Sequence, residues 1–112
     1  CEGGGEWVKA LELLNEMARS GIEANTITYN VAINACEKGC QWMKALELLQ
    51  SCLWQGILPV VTTYNAAILA CSRGQQWRCA FELLTDMTDK QVEPDAFTYS
   101  LLLMQCERWG LF

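Results

Sequence analysis

Apolar side chains recur along this chain at helical spacing, in two alternating stripes. One stripe carries Tyr29, Ala32, Ile33 and Cys36, then Tyr64, Ala67, Ile68 and Cys71, then Tyr99, Leu102, Leu103 and Cys106. Steps of three, four and seven residues put each set on one face of an α-helix. The other stripe carries Trp7, Ala10, Leu11 and Leu14, then Trp42, Ala45, Leu46 and Leu49, then Trp77, Ala80, Phe81 and Leu84. The pattern predicts two kinds of amphipathic helix in strict alternation: helix A with the tyrosine stripe and helix B with the tryptophan stripe.

Both stripes share a fixed period of 35 residues. Trp7, Trp42 and Trp77 obey it, as do Glu12, Glu47 and Glu82, and Leu13, Leu48 and Leu83. So do Thr28, Thr63 and Thr98, and Cys1, Cys36, Cys71 and Cys106, with no insertion or deletion. A period of this size marks a solenoid. The joints are legible too. Gly39 and Gly74 follow helix A, where a left-handed C-cap residue is expected, and Gly3–Gly5 align with that joint as a loose turn. Gly21 and Gly56 follow helix B, with Gln91 departing from the pattern. Pro59 and Pro94 then block further helix, Ala24 departing, and Asn25 and Asp95 suit the start of the next helix A.

The expected fold is all-α: an α-solenoid of stacked antiparallel helix-turn-helix hairpins. Its units are a partial repeat at 1–25 (helix B), full repeats at 26–60 and 61–95, and a partial repeat at 96–112 (helix A), forming one continuous segment. A hairpin of this kind buries its apolar surface only against neighbours. The Trp7 stripe and the Tyr99 stripe are therefore expected to be exposed at the two ends, and a short array to self-associate through them. Both ends read as cut from a longer array.

Composition narrows the function. Hydrophobic residues make up 52% and charged residues 19%, a globular balance. No apolar run approaches the roughly 18 residues of a membrane span, and no targeting leader is present in the chain. Seven cysteines and no histidine argue against a closed disulfide framework while leaving room for one or two bridges, and Cys36 and Cys40 lack a completing pair for zinc. The four periodic cysteines read as small core residues kept reduced. No metal, no cofactor and no catalytic residue is expected. The glycines before the first helix lack the Lys-Ser/Thr of a phosphate loop, and no acid pair stands out. The net charge of −5 has the wrong sign for a nucleic-acid partner. Yet Lys38, Arg73 and Arg108 recur with the period at the end of helix A, whereas Glu12, Glu47 and Glu82 lie in helix B.

The unit T-Y-N-x-x-I-x-A-C-x-[KR]-G-x-Q-W-x-x-A-[LF]-E-L-L resembles the pentatricopeptide repeat over the whole chain. The tetratricopeptide repeat differs, with a period of 34 and its tryptophan in the first helix. The resemblance implies binding of single-stranded RNA, one base per repeat. It assigns the base-reading role to the residue after the helix A tyrosine and to the last residue of the same repeat, and packing against the base to the residue two before the tyrosine. Carried over, Asn65 and Asp95 read one base, with a preference for uracil, and Thr62 packs on it. Asn30 and Val60 read another, with Ile27 packing; Val60 has no hydrogen-bonding side chain, so only a loose pyrimidine preference is expected there. Ser100 and Phe97 serve the last repeat, and Asn25 is the second reader of the first. Lys38, Arg73 and Arg108 would face phosphates. The family further implies organellar work, mitochondrial or plastid, in RNA processing, stability, editing or translation. The second functional reading is a protein-binding helical-repeat scaffold, towards which the apolar Ile27 and Val60 lean and the polar Asn65 and Asp95 do not.

Overall fold

A computed structural model describes residues 6–109, excepting the side chains of 6, 105, 108 and 109. It contains six α-helices in chain order: α1 (Glu6–Arg19), α2 (Thr26–Lys38), α3 (Trp42–Trp54), α4 (Val61–Arg73), α5 (Trp77–Asp89) and α6 (Ala96–Trp109). Helices A are α2, α4 and α6; helices B are α1, α3 and α5. The A helices stack directly, α4 lying against both α2 and α6. Each B helix packs against A helices only: α3 against α2 and α4, α5 against α4 and α6. The shortest dimension is 18 Å, close to two packed helix layers. This is the all-α repeat solenoid that the period predicts. Among the described residues no helix is long and apolar enough to cross a membrane.

The tyrosine stripes form the core. Tyr29, Ala32, Ile33 and Cys36 in α2 are buried, and so are Tyr64, Ala67, Ile68 and Cys71 in α4. Burial pushes the Cys71 thiol up to about 12, so it is an inert apolar filler at neutral pH. Cys36 and Cys71 are free and buried and Cys106 is free and half-buried; Cys40 is disulfide-bonded. Cys1 and the Gly3–Gly5 turn lie outside the described residues. Both buried tyrosine hydroxyls reach the helix B of their own repeat. Tyr64 donates to Asp86 Oδ2 at 2.8 Å, and Tyr29 accepts from Gln55 Nε2 at 2.7 Å. Of the Tyr99 stripe, Tyr99 and Leu103 are exposed as expected, but Leu102 is buried and Cys106 half-buried, because α6 lies against α4 and α5. The Trp7 stripe is not exposed: Trp7, Ala10, Leu11 and Leu14 pack on the core, because α1 lies against α2.

The joint after helix A departs from expectation. Gly39 and Gly74 are right-handed, with φ of −85° and −84°. The left-handed residues are the next ones, Cys40 at φ 58° and Gln75 at φ 60°. They close Schellman motifs, with Gln41 N–H donating to Cys36 O and Gln76 N–H to Cys71 O, both at 2.8 Å. The glycines serve close approach instead. A Cβ at Gly39 would stand 2.4 Å from Trp7 Cδ1, and one at Gly74 2.2 Å from Trp42 Cδ1. The helix B tryptophan of one repeat thus seats on the end of the next helix A. After helix B the expectation holds: Gly21 and Gly56 have φ of 75°, and Gln91 is forced to φ 62° at the same place.

Two stability measurements check these assignments by urea unfolding. Gly74→Ala is expected to cost about 1–3 kcal/mol by overpacking, most of it relieved when Trp42→Leu is combined with it. Gln91→Gly is expected to stabilise the chain by about 1 kcal/mol, by removing a Cβ from the left-handed region.

Candidate nucleic-acid interface

The start of a helix leaves backbone N–H groups without partners, and the second-reader positions meet that demand. Asn25 Oδ1 accepts from Thr28 N–H and from the Thr28 hydroxyl, both at 3.0 Å, and Asn25 N–H donates to Thr28 Oγ1 at 3.4 Å. Asp95 does the same with Thr98: its Oδ1 accepts from Thr98 N–H and hydroxyl, both at 2.9 Å, and its N–H donates to Thr98 Oγ1 at 3.3 Å. Each is a reciprocal capping box with threonine in the third position. Val60 has no side-chain acceptor; its N–H donates to Thr63 Oγ1 at 3.2 Å and the cap is half made. The bonds from Thr98 hold the Asp95 carboxyl below the usual carboxylate range.

The first readers lie across the joint from these caps. Asn65 Nδ2 donates to Asp95 Oδ1 at 3.3 Å, and the single Thr98 hydroxyl proton is shared between Asp95 Oδ1 and Asn65 Oδ1. The Thr63 hydroxyl donates to Asn30 Oδ1. The two readers expected to act together, Asn65 and Asp95, are therefore in contact, although they sit on different A helices. Asn65 is only 6% exposed, yet its amide keeps one N–H and one oxygen lone pair uncommitted. Asp95 uses Oδ1 for every one of these bonds; Oδ2 accepts none from the described residues. Asn30 is half-buried, and Val60 presents an apolar side chain 45% exposed beside the joint. Ser100 is exposed.

The packing positions all face outward. Ile27 is 70% exposed, Phe97 52%, and Thr62 is exposed as well. They recur one per repeat at the first turn of the stacked A helices, next to the readers. The cation series is less uniform. Lys38 is exposed. Arg73 is engaged: its Nε lies 2.6 Å from Oε1 of Glu37, a residue 4% exposed at the end of α2. The side chain of Arg108 lies outside the described residues. Glu12, Glu47 and Glu82 are exposed on the B helices, away from the packed A layer. Three participants escaped the sequence reading: Thr63, Thr98 and Glu37. The threonines carried a signal in their strict period, and Glu37 carried a weaker one, with Glu2 and Glu107 in register and Ser72 departing.

Stacked two-helix repeats, with polar side chains brought together across the joints, define a helical-repeat scaffold. The chain belongs to the pentatricopeptide (PPR) repeat family: the model of the PPR repeat family matches residues 1–38 and 59–108, and the PPR repeat model matches residues 27–57. Among curated proteins none matches the chain. Solved structures do. A cysteine-to-serine variant of the pentatricopeptide repeat protein PPR10, in complex with an 18-nt psaJ RNA element, is 31% identical at a TM-score of 0.78. The match covers 96% of this chain and 16% of that one. PPR10 from maize matches at 25% identity and a TM-score of 0.82, over 96% of this chain and 15% of that one. The PPR domain of Arabidopsis thaliana protein-only RNase P 1, in complex with tRNA, shares the fold at 19% identity and a TM-score of 0.81. There the match covers 95% of this chain and 56% of that chain.

The Asp95 network should leave a mark on acid stability. Because the folded carboxyl sits below its unfolded value, its contribution is complete above about pH 4 and is lost as pH falls through the depressed value. Unfolding free energies measured by circular dichroism should therefore fall more steeply with acid in the native chain than in Asp95→Asn, whose side chain does not titrate.

Proposed function

We propose that this chain is a single-stranded RNA-binding segment that takes one base per repeat, with uracil preferred at the repeat 61–95. The observation that carries the reading is the Asn65–Asp95 pair, which offers an N–H donor beside a carboxylate oxygen with no partner among the described residues. Uracil presents the complement, a carbonyl acceptor beside the N3–H donor. Cytosine would turn the lone pair of its N3 towards the carboxylate, which repels it. At the repeat 26–60, Asn30 acts without a polar second reader, because Val60 offers none, and either pyrimidine fits. Ser100 begins a further site and Asn25 completes an earlier one. Ile27, Thr62 and Phe97 supply the surfaces between which bases stack. The RNA-bound PPR10 matched above supports the assignment.

Net charge does not oppose this, since the exposed glutamates of helix B and the basic series of helix A lie on different helices. The cations are few, however, and Arg73 is shared with Glu37. Affinity per repeat is accordingly weak and grows with array length. Family membership favours non-enzymatic work in a mitochondrion or plastid, in RNA processing, stability, editing or translation. The exposed end of the A layer, with Tyr99 and Leu103, favours self-association of the isolated chain.

The test is fluorescence anisotropy of the full chain with oligouridine and oligocytidine octamers at fixed salt. Uridine should bind roughly fivefold tighter, one hydrogen bond's worth, and Asn65→Ala should abolish the difference. The logarithm of affinity should fall with that of salt concentration by about 0.7 per phosphate contacted. Absence of salt-sensitive binding by the folded chain would remove the RNA reading and promote the protein-binding scaffold.

A further inference from the structure

Each asparagine reader is gripped from outside its own repeat. Thr63, in the first turn of α4, donates to Asn30 Oδ1 in α2; Thr98, in the first turn of α6, shares its proton between Asn65 Oδ1 in α4 and Asp95 Oδ1. Thr63 and Thr98 are fully buried, so water does not compete for these bonds. The grip bears on recognition because a primary amide can turn over about its last torsion, exchanging donor and acceptor. Uracil shows an acceptor where cytosine shows an amino donor. An amide free to turn over pairs with either base, whereas an amide held one way distinguishes them.

The hydrogen bonds fix the direction. Asp95 Oδ1 can only accept, so Asn65 turns Nδ2 towards it. Thr98 Oγ1 accepts from Asp95 N–H, and its one proton lies between Asp95 Oδ1 and Asn65 Oδ1, so the amide oxygen faces the hydroxyl. The two contacts hold opposite ends of one amide and agree. At Asn30 the threonine contact is repeated, but Val60 supplies no second anchor. One hydroxyl, able to donate or accept, then permits both orientations.

We propose that Thr98, acting with Asp95, is a positioning residue that sets the orientation of the base-reading Asn65 in the preceding repeat, whereas Thr63 touches Asn30 without the second anchor. The unit that reads a base therefore spans the joint between two repeats: the asparagine of one, and the cap and threonine of the next. This rests on the RNA-binding reading above.

Three variants of the full chain test it: Thr98→Val, of the same shape without the hydroxyl; Thr98→Ser, which keeps it; and Thr28→Val. The last removes the same capping contact, but among the described residues the Thr28 hydroxyl bonds only Asn25. Two quantities are measured: the ratio of affinities for oligouridine and oligocytidine octamers, and the hydrogen exchange of the Asn65 side-chain amide in the RNA-free protein by NMR. Thr98→Val should bring the ratio from roughly five towards one and speed the Asn65 amide exchange. Thr98→Ser and Thr28→Val should leave both unchanged. The proposal is overturned if Thr98→Val keeps the ratio, or if Thr28→Val lowers it equally. If the unsubstituted chain shows no base preference, it is the RNA reading that fails. The amide exchange still decides the positioning role, and an unchanged rate in Thr98→Val refutes it.

Discussion

The direct stacking of one helix A on the next is the constraint on which the other features depend. A two-helix hairpin buries one side of its A helix against its own helix B and leaves the other side bare. In α4 both sides are covered, by α2 and α6, and its tyrosine stripe, its small residues Ala66, Ala67 and Ala70, and the polar Thr63 and Asn65 are buried. The spacing of the stack is set where Trp7 and Trp42 press on Gly39 and Gly74, since no side chain larger than hydrogen fits there. The left-handed turn that follows falls to Cys40 and Gln75, residues for which that conformation is costly. Close approach therefore outranks backbone comfort at this joint.

The same stacking brings polar groups together. The start of each helix A needs acceptors for its free N–H groups, and Asn25 and Asp95 supply them with threonine as the reciprocal partner. Because the previous helix A lies alongside, the threonines Thr63 and Thr98 also reach the previous asparagine. One cluster thus caps the start of a helix, locks a repeat to its neighbour and holds an amide at the joint. Where valine replaces the acid, at Val60, the packing survives and the polar part of the cluster is incomplete. The Glu37–Arg73 pair is a second lock between repeats, and it binds a cation that the family resemblance would assign to phosphate.

Much of the fold was legible because helical stripes are local. Tyr29 to Cys36 and Trp42 to Leu49 each declare a helix and its buried face within seven residues, and the period orders the hairpins without any knowledge of contacts. The candidate site was legible in part: Asn65 and Asp95 were paired through family resemblance, and the structure sets them in hydrogen-bonding contact. The role of the glycines was misjudged, because a glycine after a helix has two possible causes, positive φ or close approach. Only the position of Trp7 and Trp42 distinguishes them.

The sequence by itself determined the helices, their alternation, their inward faces and the places where they stop, all set by interactions within a few residues. The tertiary structure decided which residue takes the left-handed turn, that Trp7 is covered, that Arg73 is engaged by Glu37, and that Thr63 and Thr98 hold the asparagines. Each of these joins groups about one period apart, such as the 33 residues between Asn30 and Thr63. The physical reason is that contacts between repeats depend on how closely and at what angle the A helices stack, which no stripe on a single helix specifies.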